Sequence, residues 1–312
     1  MNETPLLAQN RLVFFVSRLL IMAGMVLVFA GLSSLAGYLI AKPFGIDITK
    51  LNIYVQSPEV YPREMVFIKI FQIIASIGTF VVPAFLFPRA IAKYPPYFLN
   101  LKKPTGLYAF FLAFLAIALA LPFVSNIYEL NKNITFPAQW ADIETYLRQL
   151  EENTEQITNS FTATNTFSEL LLNIFVISII PAFAEEIFFR GCLQNFVKMV
   201  FYNIHIAVLF SAIIFSGFHG QFFGFLPRVA LGVVLGYLFA YSNNIWVPVF
   251  GHFINNFFAL LSVYLYKKYP HWEMLANDYT FPVWVVVIST VLCIAIIYML
   301  SHLRFRHLEA HE

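Results

Sequence analysis

The stretch Phe183-Ala184-Glu185-Glu186-Ile187-Phe188-Phe189-Arg190 decides how this chain folds, because it places three charged residues inside sequence that otherwise suits lipid. The run Phe175–Phe183 before it carries no charge. Each ionised group at membrane depth costs about 2.5–3.5 kcal/mol on insertion scales, so the chain must pair these groups, hydrate them or use them. On a helix, Glu186 and Arg190 are i,i+4 neighbours that can pair. Glu185 points about 100° away from Glu186, so its partner must come from another part of the chain.

The composition is that of a membrane protein. The 312 residues are 60% hydrophobic and 12% charged, and the mean hydropathy is +0.73, whereas soluble domains carry about 25% charged residues. We therefore predict an all-α fold, a polytopic transmembrane helical bundle surrounded by the lipid bilayer. A net charge of +2, without a basic patch interleaved with aromatic rings, indicates that nucleic acid is not a partner.

Apolar runs predict about eight spans. Pro181 is expected to kink the fourth span just before the glutamates. The connector Gly220–Gly224 is short and apolar, which favours a fifth and a sixth helix that form a short hairpin buried within the membrane. The eight runs are approximately Leu19–Ala41, Val66–Phe87, Leu107–Ile127, Phe167–Val200, Ile204–Phe218, Leu226–Tyr241, Ile245–Tyr266 and Val283–Leu303.

Charges outside the spans predict an orientation and three parts of the chain. By the positive-inside rule, we expect both termini in the cytoplasm. The absence of targeting extensions favours a multi-pass protein of a bacterial plasma membrane. Residues 129–166 are acidic and are expected outside, where Trp140–Ile157 forms either a short amphipathic helix or an ordinary solvated loop. We divide the chain into residues 1–166 with three spans, a helical core at 167–266, and a last span with a basic tail at 267–312. The basic residues that set the orientation are Arg89, Lys93, Lys102, Lys103, Arg304 and Arg306.

Three further polar residues lie deep in apolar sequence and could face Glu185. His219 ends the fifth helix, with Phe215 one turn before it, and His252 and Asn256 share one face of the seventh helix. A single intramembrane histidine is often only a hydrogen-bond partner between helices. Intramembrane ionisable residues are also candidates for function. A carboxylate, two imidazoles and an amide suit the activation of water and the stabilisation of an oxyanion.

Three motifs on successive helices resemble the CPBP family of membrane proteins. That family comprises the CAAX prenyl proteases and the bacteriocin-processing and immunity-type intramembrane proteases of bacteria. The resemblance covers about residues 168–262, while the first three spans and the eighth carry no motif of the family. It implies a helical membrane protein that hydrolyses a peptide bond. The motifs are Glu185-Glu186-x-x-x-Arg190, Phe215-x-x-x-His219 and His252-x-x-x-Asn256.

The resemblance also implies a role for each residue of the motifs. Glu185 would be the general base that activates water, and His219 would assist it or hold the water. His252 and Asn256 would stabilise the oxyanion of the tetrahedral intermediate. Structural support would come from the remaining three residues, Glu186, Arg190 and Phe215.

A metal-dependent reaction is an alternative within the same resemblance. His219, His252 and Glu185 would supply three zinc ligands and leave one coordination position open. These residues come from separate helices, without a His-Glu-x-x-His helix to arrange them. We therefore favour a reaction that uses no cofactor and keep zinc as the alternative.

Two other classes of function fit a bundle with buried charges. A proton-coupled transporter would use Glu185 and the histidines as a proton relay, although the chain shows no internal repeat of the kind transporters usually carry. A non-catalytic immunity or scaffold protein would keep the motifs for packing alone. For a peptidase, the partner is a membrane-embedded peptide or protein substrate, and the sequence leaves its identity and its prenylation open.

Overall fold

The computed structural model describes residues 5–91, 98–101, 105–162, 166–269, 271–272 and 279–309, without the side chains of residues 5–9, 162 and 303–309. Every regular element in those ranges is a helix, so the predicted all-α class is confirmed. Lys93, Lys102 and Lys103 of the predicted cytoplasmic loop lie outside the described residues, and so do the side chains of Arg304 and Arg306.

The long helices follow the predicted apolar runs. Within the described ranges, seven helices are long and apolar enough to cross a bilayer. The helix Ile204–Gly217 has 14 residues, which at about 1.5 Å per residue reaches about 21 Å of a hydrocarbon core about 30 Å thick. The helices are α1 (Pro5–Ala41), α2 (Leu51–Gln56), α3 (Pro62–Ile91), α4 (Leu107–Lys132), α5 (Ala141–Thr162), α6 (Phe167–Phe201), α7 (Ile204–Gly217), α8 (Phe225–Ser242), α9 (Trp246–Lys268) and α10 (Val283–Glu309).

The helix that carries the glutamates, α6, begins at a capping box and is irregular along its length. Thr166 Oγ1 accepts a hydrogen bond from the Glu169 N–H at 3.3 Å, and Glu169 Oε2 accepts one from the Thr166 N–H at 3.2 Å. Two π-helical stretches, Ile174–Ile179 and Ile187–Gln194, lie before and after the glutamate pair. Such stretches are rare in proteins and often occur at functional sites.

Helices α7 and α8 form a close-packed hairpin. A Cβ atom at Gly232 would lie 2.9 Å from Ala212 Cβ, and one at Gly236 would lie 2.9 Å from Val208 Cγ1. The missing side chains therefore let the two backbones approach. Ser216 Oγ also donates a hydrogen bond to the Phe225 carbonyl at 2.7 Å, which joins the two helices beside their connector.

The connector between α7 and α8 is tied to neighbouring polar elements. Asn131, at the end of α4, is 1% exposed; its Nδ2 donates to the Phe222 carbonyl at 3.1 Å, and its Oδ1 accepts from the Leu226 N–H at 2.8 Å. Phe223 is buried, and the guanidinium of Arg148 on α5 lies 4.3 Å from its ring centroid. The predicted hairpin is present, its connector is partly covered by α4 and α5, and its depth in the membrane stays a prediction.

The acidic segment after α4 forms a helix rather than a solvated loop. Helix α5 begins at Ala141 and ends at Thr162, so it is longer than the amphipathic helix considered from the sequence. Glu144 accepts a hydrogen bond from the Phe136 N–H at 2.8 Å and pairs with Arg148 at 2.7 Å, which ties the preceding loop to the helix. Ile143 and Tyr146 on α5 are exposed.

Two clusters of buried apolar side chains hold the helices together. In the first, Phe196 of α6 stacks on Phe15 of α1 with ring centroids 5.7 Å apart and meets Phe87 of α3 edge-to-face at 5.3 Å. The second joins α4, α8, α9 and α10 around Ile117 and Leu235, which are both fully buried. Two polar residues of α6, Glu186 and Arg190, connect the first cluster with α8 and α9 of the second.

Candidate active site

Glu186 is the centre of a buried polar cluster between α6 and α9. Its side chain is fully buried. One oxygen, Oε1, lies 2.7 Å from Arg190 Nη1 on the same helix and 2.8 Å from His252 Nδ1 on α9. A buried carboxylate needs such partners, because an unpaired charge in an apolar interior is costly. Glu186 and Arg190 thus form the i,i+4 pair expected from their spacing.

Arg190 extends the cluster to α8. Its Nη2 donates a hydrogen bond to the Gly232 carbonyl at 3.2 Å, and its guanidinium carbon lies 4.6 Å from the centroid of the Phe215 ring. Contact between a guanidinium and an aromatic face is favourable when water is excluded. Gly232 packs against Ala212 and Phe215 of α7, so its carbonyl lies beside the ring that the guanidinium also contacts. Arg190 therefore joins α6 to both helices of the hairpin.

The partner of His252 Nδ1 defines which nitrogen of the ring carries the proton. A carboxylate that is paired with a guanidinium can only accept, so Nδ1–H is the donor to Glu186. In the neutral ring, Nε2 is then an acceptor, and it lies 3.9 Å from Glu185 Oε2. This distance is too long for a direct hydrogen bond and short enough for one water molecule to reach both atoms.

Glu185 is the less buried member of the glutamate pair. Its side chain is 16% exposed, compared with 0% for Glu186. It faces His252 and is also close enough to Arg190 and Arg228 for electrostatic interaction. The sequence prediction that Glu186 pairs within its helix while Glu185 faces another helix agrees with this geometry.

Phe215 lies in the last turn of α7, and His219 lies beside His252 in the turn that follows, two residues beyond the end of the helix. His219 Nδ1 is 3.0 Å from the Phe215 carbonyl; because a carbonyl can only accept, Nδ1–H is the donor and Nε2 of the neutral ring is an acceptor. The Phe215 ring meets the His219 ring edge-to-face at 5.1 Å and the His252 ring at 5.8 Å. Phe215 thus supports both imidazoles. In each ring Nδ1 makes the hydrogen bond to the protein, which leaves Nε2 as the second polar atom of the ring.

Asn256 has a structural partner that the sequence analysis did not anticipate. Its Nδ2 donates to the Ile177 carbonyl at 3.3 Å, and its Oδ1 accepts from Asn255 Nδ2 at 3.2 Å. Pro181 follows Ile177 by four residues and has no N–H to give to that carbonyl. The Asn256 amide therefore satisfies an acceptor that the proline leaves without its regular helical donor. One N–H of the amide is occupied in this way.

Arg228 is a residue near the site that the sequence analysis missed. It lies in the first turn of α8, and its Nη2 donates to Gln221 Oε1, whose Nε2 donates to Glu151 Oε1 on α5 at 2.8 Å. Arg228 is also within electrostatic range of Glu185. A charged residue in an apolar helix was the criterion that singled out Glu185, and the same criterion applied to the sixth run would have found Arg228.

The residues suggested as zinc ligands do not come together as a metal site. Across the described ranges, no three His, Cys, Asp or Glu side chains form a group that could hold a metal ion. His252 and His219 each use Nδ1 for a hydrogen bond to Glu186 and to the Phe215 carbonyl, respectively. We therefore derive no step through a metal, and zinc stays an alternative to be tested.

The fold and the site define a polytopic helical membrane protein with a Glu–Arg–His cluster buried between three helices. Comparison with known families then agrees with the resemblance seen in the motifs. Residues 167–258 match the family model described as "Type II CAAX prenyl endopeptidase Rce1-like". The matched segment runs from α6 into α9 and contains every motif residue, so the family resemblance is confirmed over this part of the chain.

Two curated proteins of Bacillus subtilis (strain 168) are each similar to a part of the chain. One is named "Putative membrane peptidase YdiL" and is 33% identical over 96 residues, which are 29% of this chain and 36% of that protein. The other is named "Uncharacterized protein YpbD" and is 30% identical over 86 residues, which are 26% of this chain and 41% of that protein. The chain thus matches well under half of the length of either relative. No solved structure matches.

Proposed function

We propose that this chain is an intramembrane endopeptidase that hydrolyses a peptide bond of a membrane-associated peptide or protein. The observation that carries the proposal is the position of His252 between two glutamates. Nδ1 is fixed by Glu186 at 2.8 Å while Nε2 faces Glu185 at 3.9 Å. A carboxylate beside an oriented imidazole, in surroundings that exclude most water, is suited to moving a proton.

In the proposed reaction, Glu185 is the general base. Its carboxylate takes a proton from a water molecule, and the oxygen of that water forms a bond with the scissile carbonyl carbon. The resulting tetrahedral intermediate carries a negative charge on the former carbonyl oxygen. The C–N bond then breaks, and the protonated Glu185 returns the proton to the leaving nitrogen. One water is consumed, and the products are a carboxylic acid and an amine.

His252 and Asn256 are proposed to stabilise the oxyanion. Since Nδ1–H of His252 is held by Glu186, Nε2 donates only when the ring carries a second proton. In the neutral ring, the same atom instead accepts a hydrogen bond and can orient the attacking water. Asn256 has a second N–H besides the one directed at Ile177, and this N–H is the proposed oxyanion donor.

His219 is proposed to hold the attacking water from the side of α7. Its Nδ1 is bonded to the Phe215 carbonyl, so Nε2 is the atom left to accept a hydrogen bond from water. We propose that both termini lie in the cytoplasm, because the basic loop and tail fit the positive-inside rule. The similarity to two proteins of Bacillus subtilis supports a bacterial plasma membrane. None of the proposed residue roles requires a prenyl group on the substrate.

The test is peptide-bond cleavage by the purified protein in detergent, with a library of membrane peptides as substrate. The unaltered protein is compared with Glu185→Ala, with and without a strong chelator. We expect Glu185→Ala to lose a factor of about 10²–10⁴ in rate, the usual contribution of a general base, and the chelator to have no effect. Farnesylated and unmodified peptides of the same sequence are included to show whether the lipid group matters.

Each other outcome has a definite meaning. Loss of cleavage with the chelator would favour the zinc alternative built on His219, His252 and Glu185. Unchanged cleavage by Glu185→Ala would remove that residue from the mechanism. A protein that transports protons in vesicles and cleaves no peptide would support the transporter reading instead, and a folded protein with neither activity would support a scaffold.

A further inference from the structure

A cavity lies on the side of α8 that faces away from the glutamates. It has a volume of about 560 Å³ and is walled by α4, α8 and α10, with His205 of α7 at one end. This volume is within the range of about 300–1,000 Å³ that is usual for ligand pockets. It belongs to no part of the proposed active site.

The two faces of α8 separate the cavity from the candidate active site. Arg228, Gly232 and Gly236 lie at four-residue steps on the face that packs against α6, α7 and the connector. The cavity is lined instead by Ala230, Val234, Tyr237 and Tyr241, a stripe at helical spacing on the opposite face. The same helix therefore serves two sites that do not share a side chain.

Polar groups gather at one end of the cavity and are sparse in the rest. Tyr237 Oη is 2.7 Å from His205 Nδ1, and the Tyr241 ring stacks on the Tyr237 ring with centroids 5.6 Å apart. From Ala230 to Tyr241 the cavity extends about 16 Å along α8, about half of a hydrocarbon core about 30 Å thick. Its length thus corresponds to one leaflet of a bilayer, with the polar groups at one end.

The cavity opens sideways through the surface of the bundle. Ile294 and Tyr298 of α10 line it and are 62% and 64% exposed. Helices α4, α8 and α10 are all candidate membrane spans, so the medium at this opening is the bilayer rather than water. Tyrosine and histidine have an apolar ring and a polar tip, and tyrosine is enriched at the headgroup level of membranes.

We propose that this cavity is a binding site for one membrane phospholipid, with an acyl chain along α8 and the headgroup at His205, Tyr237 and Tyr241. The commitment to a phospholipid follows from the lateral opening, the one-leaflet length and the polar end. A second hydrocarbon source, the chain of a lipid-modified substrate, is less suitable because α8 stands between this cavity and the glutamates. The proposal does not depend on peptidase activity.

The test uses the full chain in phosphatidylcholine vesicles that contain phosphatidylcholine with a photoactivatable diazirine on the acyl chain. Cross-linked peptides are mapped by mass spectrometry. We expect labelling of α8 and α10 at the cavity to exceed that of Leu20 and Leu27, which lie on the exposed face of α1. Labelling no stronger than on α1 would show an ordinary lipid-facing surface and would overturn the proposal.

A cavity-filling variant provides the matched comparison. Val234→Trp places a large ring inside the cavity, whereas Val291→Trp makes the same change on an exposed position of α10 that does not line it. We expect cavity labelling to fall to the α1 level in the first variant and to persist in the second. Equal labelling in both variants contradicts the proposal.

A further readout needs no substitution. The unaltered protein is washed repeatedly in detergent and examined by native mass spectrometry for a retained phosphatidylcholine. We expect one lipid per chain to be retained, and unlabelled phosphatidylcholine to displace the photoactivatable lipid. If no lipid is retained, or if a farnesylated peptide displaces the label while phosphatidylcholine does not, the proposed occupant is wrong.

Discussion

His252 donates its Nδ1–H to Glu186, at 2.8 Å, and not to the neighbouring Glu185. The glutamate that is paired with Arg190 therefore also orients the imidazole, and the other glutamate remains on the far side of the ring. One carboxylate oxygen thus holds two cationic or donor groups from two helices. This arrangement separates the residue that positions the site from the residue proposed to react.

The buried pair of Glu186 and Arg190 should be far more important for stability than an exposed pair of the same kind. Arg190→Met leaves a buried carboxylate without its ion-pair partner, which typically costs about 3–5 kcal/mol. The double change Glu186→Leu with Arg190→Met removes both charges and should recover much of that loss. It should not recover cleavage, because the His252 ring then lacks its carboxylate acceptor. The measurements are thermal unfolding in detergent and peptide cleavage.

The control for this prediction is Arg148→Met on α5. Arg148 and Glu144 have the same i,i+4 spacing and the same 2.7 Å separation, but their side chains are 39% and 18% exposed. Water reaches this pair and screens its attraction, so the change should lower stability much less than Arg190→Met, although it also removes the contact of Arg148 with the Phe223 ring. Equal losses of stability from Arg148→Met and Arg190→Met would show that burial does not increase the contribution of the Glu186–Arg190 pair to stability.

Close packing of α7 against α8 should make Gly232 intolerant of even one methyl group. Gly232→Ala would bring its Cβ to 2.9 Å from Ala212 Cβ and 3.1 Å from Ala212 Cα. Relief of such a clash typically costs about 1–3 kcal/mol and would also lengthen the Arg190 bond to the Gly232 carbonyl. Gly217→Ala on α7 is the matched control, because nothing lies within 4 Å of a Cβ there. The prediction is wrong if both variants unfold at the same temperature.

The bond between Asn256 and Ile177 predicts an interaction with Pro181. Asn256→Ala should destabilise the protein by about 1 kcal/mol or more, because it leaves a partly buried carbonyl without this donor. Adding Pro181→Ala restores a backbone N–H four residues after Ile177, so the double variant should regain part of that stability. Thermal unfolding of the two single variants and the double variant measures the coupling.

The same three variants distinguish structural support from catalysis by Asn256. If its amide also binds the oxyanion, cleavage should remain low in the double variant although stability has recovered. Recovery of cleavage together with stability would assign Asn256 to structural support alone. Additive losses of stability would instead contradict the proposed link between Pro181 and Asn256.

Acid should loosen the loop before α5. The Phe136 N–H, and after it the Arg148 side chain, lower the pKa of Glu144 below its ordinary value of 4.5. A carboxyl group with a lowered pKa in the folded state contributes stability above the unfolded pKa, and this contribution is lost as pH falls through the folded pKa. Protection of the Phe136 amide from hydrogen exchange should therefore be full above about pH 4.5 and decline below it.

The control variant for this pH dependence is Glu144→Gln. It cannot ionise, so protection of the Phe136 amide should show no step in the same pH range. The Trp140 amide is an internal control in the same loop, because it donates to the Pro137 carbonyl, which does not titrate. Its protection should not change with Glu144 ionisation. A step of the same size in the variant would assign the pH dependence to another group.

The sequence predicts the helices of this protein well, because a long apolar run can satisfy its backbone in lipid only as a helix. The run Leu107–Ile127 becomes Leu107–Lys132, and Val283–Leu303 becomes Val283–Glu309. The pair Glu186–Arg190 can also be predicted from the sequence, since both residues belong to one helix. These predictions depend only on local spacing.

Contacts between helices were less predictable, because they depend on rotations that a regular period of 3.6 residues does not describe. The π-helical stretches around the glutamates change which face each residue presents, so the contact of His252 with Glu186 and that of Asn256 with Ile177 could not be read from spacing. Arg228 joins α5 through Gln221, which is a relationship between three separate segments. The cavity behind α8 likewise exists only once three helices are packed.

The π-helical stretch Ile174–Ile179 has a consequence for how this protein can vary. Five of its six residues are apolar, Ser178 being the exception, and those five can be exchanged for one another at modest cost, because lipid and neighbouring helices accept many shapes. Deleting one of them would turn everything on one side of the deletion by about 100° relative to the other. The number of residues between the cap at Thr166 and Glu185 is therefore the constrained property of this segment, more than their identities.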